Sequence, residues 1–167
     1  MRLFSEELNV GSYEVLLTMP VTFRDVILGK FLAASVFVAA MLCPTLAYPI
    51  TVSFLGELDW GPVLGGYVGA VLLGAAFSAV GLFASSLTRN QIISFIIAMT
   101  ICFSLTLIDK MLFFMPQSML GFLEYLGADF HFANISKGII DSRDVLYFLS
   151  LVFVSLYGAD LVLREKH

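Results

Sequence analysis

Four long apolar runs divide the chain, and its charges fall almost entirely between them. Phe31 to Leu55 carries no charged side chain over 25 residues, Gly61 to Thr88 none over 28, and Asn90 to Ile108 none over 19. Val145 to Leu163 is interrupted by Asp160 alone. A helix needs about 20 mostly apolar residues to cross about 30 Å of hydrocarbon. Strands of a membrane barrel would alternate apolar and polar positions, and these runs do not. The pattern therefore predicts an all-α membrane protein with four transmembrane helices, at about residues 29–55, 61–87, 90–113 and 144–164.

Two stretches stand outside that pattern. Residues 1–25 begin Met1-Arg2-Leu3-Phe4 and turn acidic at Glu6-Glu7, where a secretory signal would need its apolar region. Gly11 is a break, and Ser12 can cap a short helix that has Glu14 in its first turn. Val15, Leu16, Leu17 and Met19 are apolar, and Pro20 stops the helix, because the residue before a proline avoids helical geometry. Thr22-Phe-Arg-Asp25 then has the spacing of a capping box, opening the next helix. The expected product is a short N-terminal helix between two stops, ahead of a transmembrane domain over 26–167. Pattern alone leaves two uses open, a lever that docks on a soluble partner or an anchor lying on the bilayer. The second stretch, 114–143, is apolar in MLFFMPQSMLGFLEYLG but broken by Pro116, Gly121 and Gly127. It reads as a helical hairpin dipping into the outer leaflet, or as an amphipathic surface helix.

Within the spans, three features carry more than hydrophobicity. Pro44 and Pro49 in LCPTLAYP each remove a backbone donor, so the first span is expected to bend there, either as a hinge or as a fixed kink. Gly61, Gly65 and Gly69 recur every four residues, with Gly74 on a shifted face. Lipid tails supply no hydrophobic drive between helices, so small residues that admit a close neighbour mark a packing face. Asp160 lies four residues before Arg164, on one helix face, and reads as a carboxylate paired near the end of its span.

Composition agrees with a membrane class. The chain is 59% hydrophobic and 13% charged, with a mean hydropathy of +0.95; soluble domains run near 25% charged. A net charge of -4 offers no basic face for nucleic acid. With four spans both termini share a side, and that side holds Arg2, Arg24, Lys30, Arg89, Arg164 and Lys166 against Lys110, Lys137 and Arg143 on the other. The positive-inside rule makes the terminal side cytoplasmic. Gly29-Lys30 lacks the glycine and hydroxyl residue of a phosphate loop, and no metal-spaced His/Cys cluster or nucleophile motif occurs. No catalytic residue is expected. Cys43 and Cys102 lie in separate apolar runs and read as small buried residues, with a thiol enzyme as a remote alternative.

The run EELNVGSYEVLLTMPVTFRDVILGKFLAA resembles the cytoplasmic signature of ABC-2 type permeases. The likeness rests on Glu6, Glu7, Gly11, Ser12, Glu14, Leu16, Leu17, Pro20 and Val21, followed by Gly29-Lys30. Together with DWGPVLGGYVG, GLFASSLTRNQIISF and FHFANISKGIIDSRDVLYFLSL, the chain is similar to the gliding-motility branch of that family. The resemblance implies the permease subunit of an ATP-binding-cassette exporter in the inner membrane. ATP and magnesium would be handled by a partner ATPase contacting Glu6–Pro20, with no cofactor on this chain. A second permease copy would complete the pathway. Leu8-Asn9 departs from the basic residues usual after the acidic pair. Such permeases usually have six spans, so the resemblance also implies a fragment lacking its first two. A non-transporting membrane scaffold is the main alternative.

Overall fold

The computed structural model describes residues 22–111, 125–139 and 141–165. The expected N-terminal coupling helix and most of the MLFFMPQSMLGFLEYLG segment lie outside them. Every regular element among the described residues is helical, and four are long and apolar enough to cross a membrane: Arg24–Leu55, Trp60–Leu87, Gln91–Ile108 and Ser142–Glu165.

Helix α1 (Phe23–Leu42) opens on the capping box read from the sequence. The Thr22 hydroxyl accepts from the Asp25 amide, and the Asp25 carboxylate accepts from the Thr22 amide at 3.1 Å. Two amide groups that a helix start leaves unpaired are thereby satisfied. At Cys43–Leu46 the rod tightens into a 3-10 turn around Pro44, and α2 (Ala47–Leu55) carries it on. Pro49 sits in the first turn of α2, where a missing N–H is least costly. Gly56, in extended conformation, ends the span.

Helix α3 (Trp60–Leu87) is capped by Asp59, whose side chain accepts from the Gly61 amide at 3.0 Å. After Thr88, Arg89 and Asn90 the chain reverses into α4 (Gln91–Met111), with the Asn90 side chain accepting from the Ile92 amide at 2.9 Å. A short helix, α5 (Ala128–Ser136), comes next and ends at Gly138, whose φ of 83° lets its amide reach back to the Ile135 carbonyl at 3.0 Å. Helix α6 (Ser142–Glu165) is the last span.

Helix α3 is the axis of the bundle. It touches α1, α4, α5 and α6, and its buried positions are mostly small: Ala76, Ala79, Gly81, Ala84, Ser85 and Ser86. A helix apolar all round and lined by small residues can be packed from several sides at once. Two buried clusters hold the helices around α3. Ile27, Leu82 and Leu163 join the start of α1 to the ends of α3 and α6. Ala76, Ile135 and Phe148 join the middle of α3, α5 and the early part of α6. Outward surfaces stay apolar, with Phe54 85% and Phe153 70% exposed, as a lipid-facing exterior requires.

Candidate functional site

The sequence points to four groups of residues, and three of them fall among the described residues. Glu6, Glu7, Gly11, Ser12, Glu14, Leu16, Leu17 and Pro20, the expected coupling segment, lie outside. The helix start immediately after that segment is well defined. Arg24, the second residue of α1, donates through Nε to Asp160 Oδ2 at 3.4 Å, and Arg164 donates through Nε to Asp160 Oδ1 at 3.0 Å. Asp160 is 6% exposed, while both arginines reach toward solvent. The i,i+4 pair of Asp160 and Arg164 was legible in the sequence; Arg24 was not. A buried carboxylate needs compensating donors, and here they come from two helices, so the first and last spans are clamped at the end bearing both described termini.

The proline pair lies halfway along the first span. The Thr45 hydroxyl sits 2.6 Å from the Leu42 carbonyl, filling the gap that the 3-10 turn opens, and 3.0 Å from the Tyr67 hydroxyl on α3. Beside it a groove of about 350 Å³ runs between the bend and α3, lined by Thr45, Pro49, Pro62, Val63, Gly66 and Tyr67. A short 3-10 stretch inside a long helix is a recurrent hinge geometry, and this one has open space on its inner side.

The glycine stripe of α3 seats α5 and not another span. A Cβ on Gly65 would overlap the Ile135 carbonyl oxygen and come within 3.0 Å of Gly138 Cα. At Gly69 it would press on the Phe132 ring at 3.2 Å, and Gly61 meets Gly138. Gly74, on the shifted face, faces Val38 of α1. The partners of all four therefore lie within this chain. The seat lies five to nine residues inside α3, about 8–14 Å along its axis, so α5 is sunk into the bundle at the end opposite the arginine clamp.

A pair that sequence reasoning did not find fastens α5. His131 Nδ1 lies 2.6 Å from Asp144 Oδ1, with both side chains buried, and His131 Nε2 lies 3.1 Å from the Tyr125 carbonyl oxygen. Tyr147 stacks on the imidazole at 4.1 Å and donates its hydroxyl to the Leu126 carbonyl at 2.7 Å. Asp129, also on α5, meets Lys110 of α4 at 2.6 Å. Thirteen residues separate His131 from Asp144 across a turn, and no periodic pattern links them. The signal available was only that one of two histidines lay beside an apolar run.

Among the described residues no group of three or more His, Cys, Asp or Glu is arranged to hold a metal ion. Cys43, on the 3-10 turn, is exposed and Cys102, on α4, is half-buried, so neither is the buried residue expected from its apolar run; both are free thiols. The described residues thus form a clamp between α1 and α6, a bend in the first span and a short helix seated on α3.

Comparison with curated proteins gives no match. Residues 1–139 match the family model of the ABC-2 family transporter proteins, a span that includes the first three membrane helices and α5. Members of this family are membrane components of transporters that work with a separate ATPase subunit. With most of its length matched and four spanning helices around α3, this chain belongs to the ABC-2 transporter family and is a multi-pass membrane permease component.

Proposed function

We propose that this chain is the permease subunit of an ATP-binding-cassette exporter whose ATPase subunit grips Glu6–Pro20 from the cytoplasm. The supporting observation is the arginine clamp. The segment joins α1 directly at Thr22, and two residues later Arg24 ties α1 to Asp160 of α6. A displacement delivered to Thr22 therefore reaches two membrane helices together. Pro44 and Pro49 give α1 a place to bend beyond the clamp, beside the groove that borders α3. ATP and magnesium are bound by the partner, and a second permease copy, alike or unlike, completes the pathway. Both termini are cytoplasmic on the positive-inside count of six basic residues against three.

The test is Glu14→Lys in the assembled transporter, because Glu14 is the acidic residue in the first turn of the expected coupling helix. The expected result is normal membrane insertion and ATP hydrolysis that no longer drives transport. Transport at the native rate would remove Glu14 from the contact and, with it, the assignment of this segment as the coupling element.

A further inference from the structure

The His131–Asp144 pair is buried, titratable and unused by the transport reading, and its hydrogen bonds can be counted. A carbonyl oxygen only accepts, so the 3.1 Å contact with Tyr125 places a proton on His131 Nε2. The 2.6 Å contact between Nδ1 and Asp144 Oδ1 requires a second proton between those atoms. Either the imidazolium gives it to a carboxylate or a neutral carboxylic acid gives it to Nδ1; the total is two in both cases. With one proton only, two lone pairs must face each other at one of these contacts. Water cannot relieve that conflict, since the two side chains are 3% and 5% exposed. Asp144 Oδ2 is already buried without a hydrogen-bond partner.

We propose that His131 and Asp144 form a two-proton clasp, and that withdrawal of either proton unseats α5 from its glycine groove. This holds whether or not the chain works as a transporter. Among the described residues the surroundings give the lost proton no substitute. From α6 come the Tyr147 ring, whose hydroxyl donates to Leu126, and Arg143 in the exposed first turn, with Asp141 just ahead of the helix. The Tyr125 ring lies 6.4 Å away, on the turn before α5. Asp129 of α5 is engaged by Lys110 of α4. Helix α3 brings no charged side chain, and its one phenol, Tyr67, is bonded to Thr45. Once α5 lifts, water solvates the ring and the carboxylate, and neither depends on the other for a proton. The seated state binds more protons than the open state wherever the open pair has lost one. By linkage, seating weakens as pH rises through that range, by up to about tenfold per pH unit for one proton.

Asp144→Asn separates this clasp from an ordinary buried contact. Its amide donates to Nδ1 with a proton that does not leave, while neutral imidazole keeps Nε2–H for Tyr125. The measurement is amide hydrogen exchange over Ala128–Ser136 in the purified full chain in detergent, normalised to the intrinsic exchange rate at each pH. In the native chain protection of α5 is expected to fall as pH rises into the alkaline range, approaching about tenfold per unit. In the Asp144→Asn chain it should stay high over the same range, and in His131→Ala it should be low throughout. Flat protection in the native chain overturns the proposal. So does an Asp144→Asn chain that loosens with pH as the native one does, or that is loose at every pH.

Discussion

Gly65 and Gly66 are neighbours on one helix with opposite surroundings, and this makes the seat of α5 measurable. Replacing either with alanine removes the same backbone freedom from the unfolded chain. The intrinsic helix gain, about 0.8–1.0 kcal/mol, therefore cancels in the difference between the two variants. At Gly66 a methyl enters open space. At Gly65 it lands on the Ile135 carbonyl oxygen, with Gly138 Cα at 3.0 Å and Gly138 N at 3.1 Å. All three obstacles are backbone, so no rotamer change clears them and α5 must move as a body. Overpacking of this kind costs about 1–3 kcal/mol. The movement also stretches the His131–Asp144 and Tyr147–Leu126 hydrogen bonds, adding roughly 1 kcal/mol. Gly65→Ala should thus be less stable than Gly66→Ala by about 2–4 kcal/mol. Unfolding by sodium dodecyl sulfate in mixed micelles can be followed by the emission of Trp60, the single tryptophan, which opens α3. Equal midpoints for the two variants would refute the close approach of α5 to α3.

The clamp and the bend give two more expectations. Arg164→Gln leaves Asp160 still facing Arg24 at 3.4 Å, whereas Arg24→Gln with Arg164→Gln strands a buried carboxylate; the double change should cost about 3–5 kcal/mol, more than the sum of the single changes. Strict additivity in the same detergent titration would count against a shared carboxylate. Pro44→Ala returns a backbone donor to the 3-10 turn, so the first span should straighten with no loss of stability while transport by the assembled complex falls. Undiminished transport would make the bend a fixed feature.

The four spans were legible because each is a run of apolar residues long enough to cross a bilayer, and that signal needs no knowledge of neighbours. Local hydrogen bonds were legible too. Thr22 with Asp25 and Asp160 with Arg164 are separated by three and four residues, distances that helical geometry fixes. What the sequence concealed is which face meets which. Helix α3 is apolar on all sides, so hydrophobicity marks no inner face, and its glycines announce a close neighbour without naming it. The neighbour is α5, nine residues long and drawn from the stretch that pattern could only describe as interrupted. The contacts of Arg24 with Asp160 and of His131 with Asp144 join residues from different helices, and only the assembled bundle brings them together.

The bond between Arg24 and Asp160 spans 136 positions of sequence. Ribosomes make proteins from one end, so Arg24 is already in place long before its carboxylate exists. During synthesis this rod must wait for its carboxylate while three further rods are threaded into the bilayer. Only when the last has entered can the ring be closed. A polypeptide cut short before residue 160 would keep its greasy segments yet never acquire that closure.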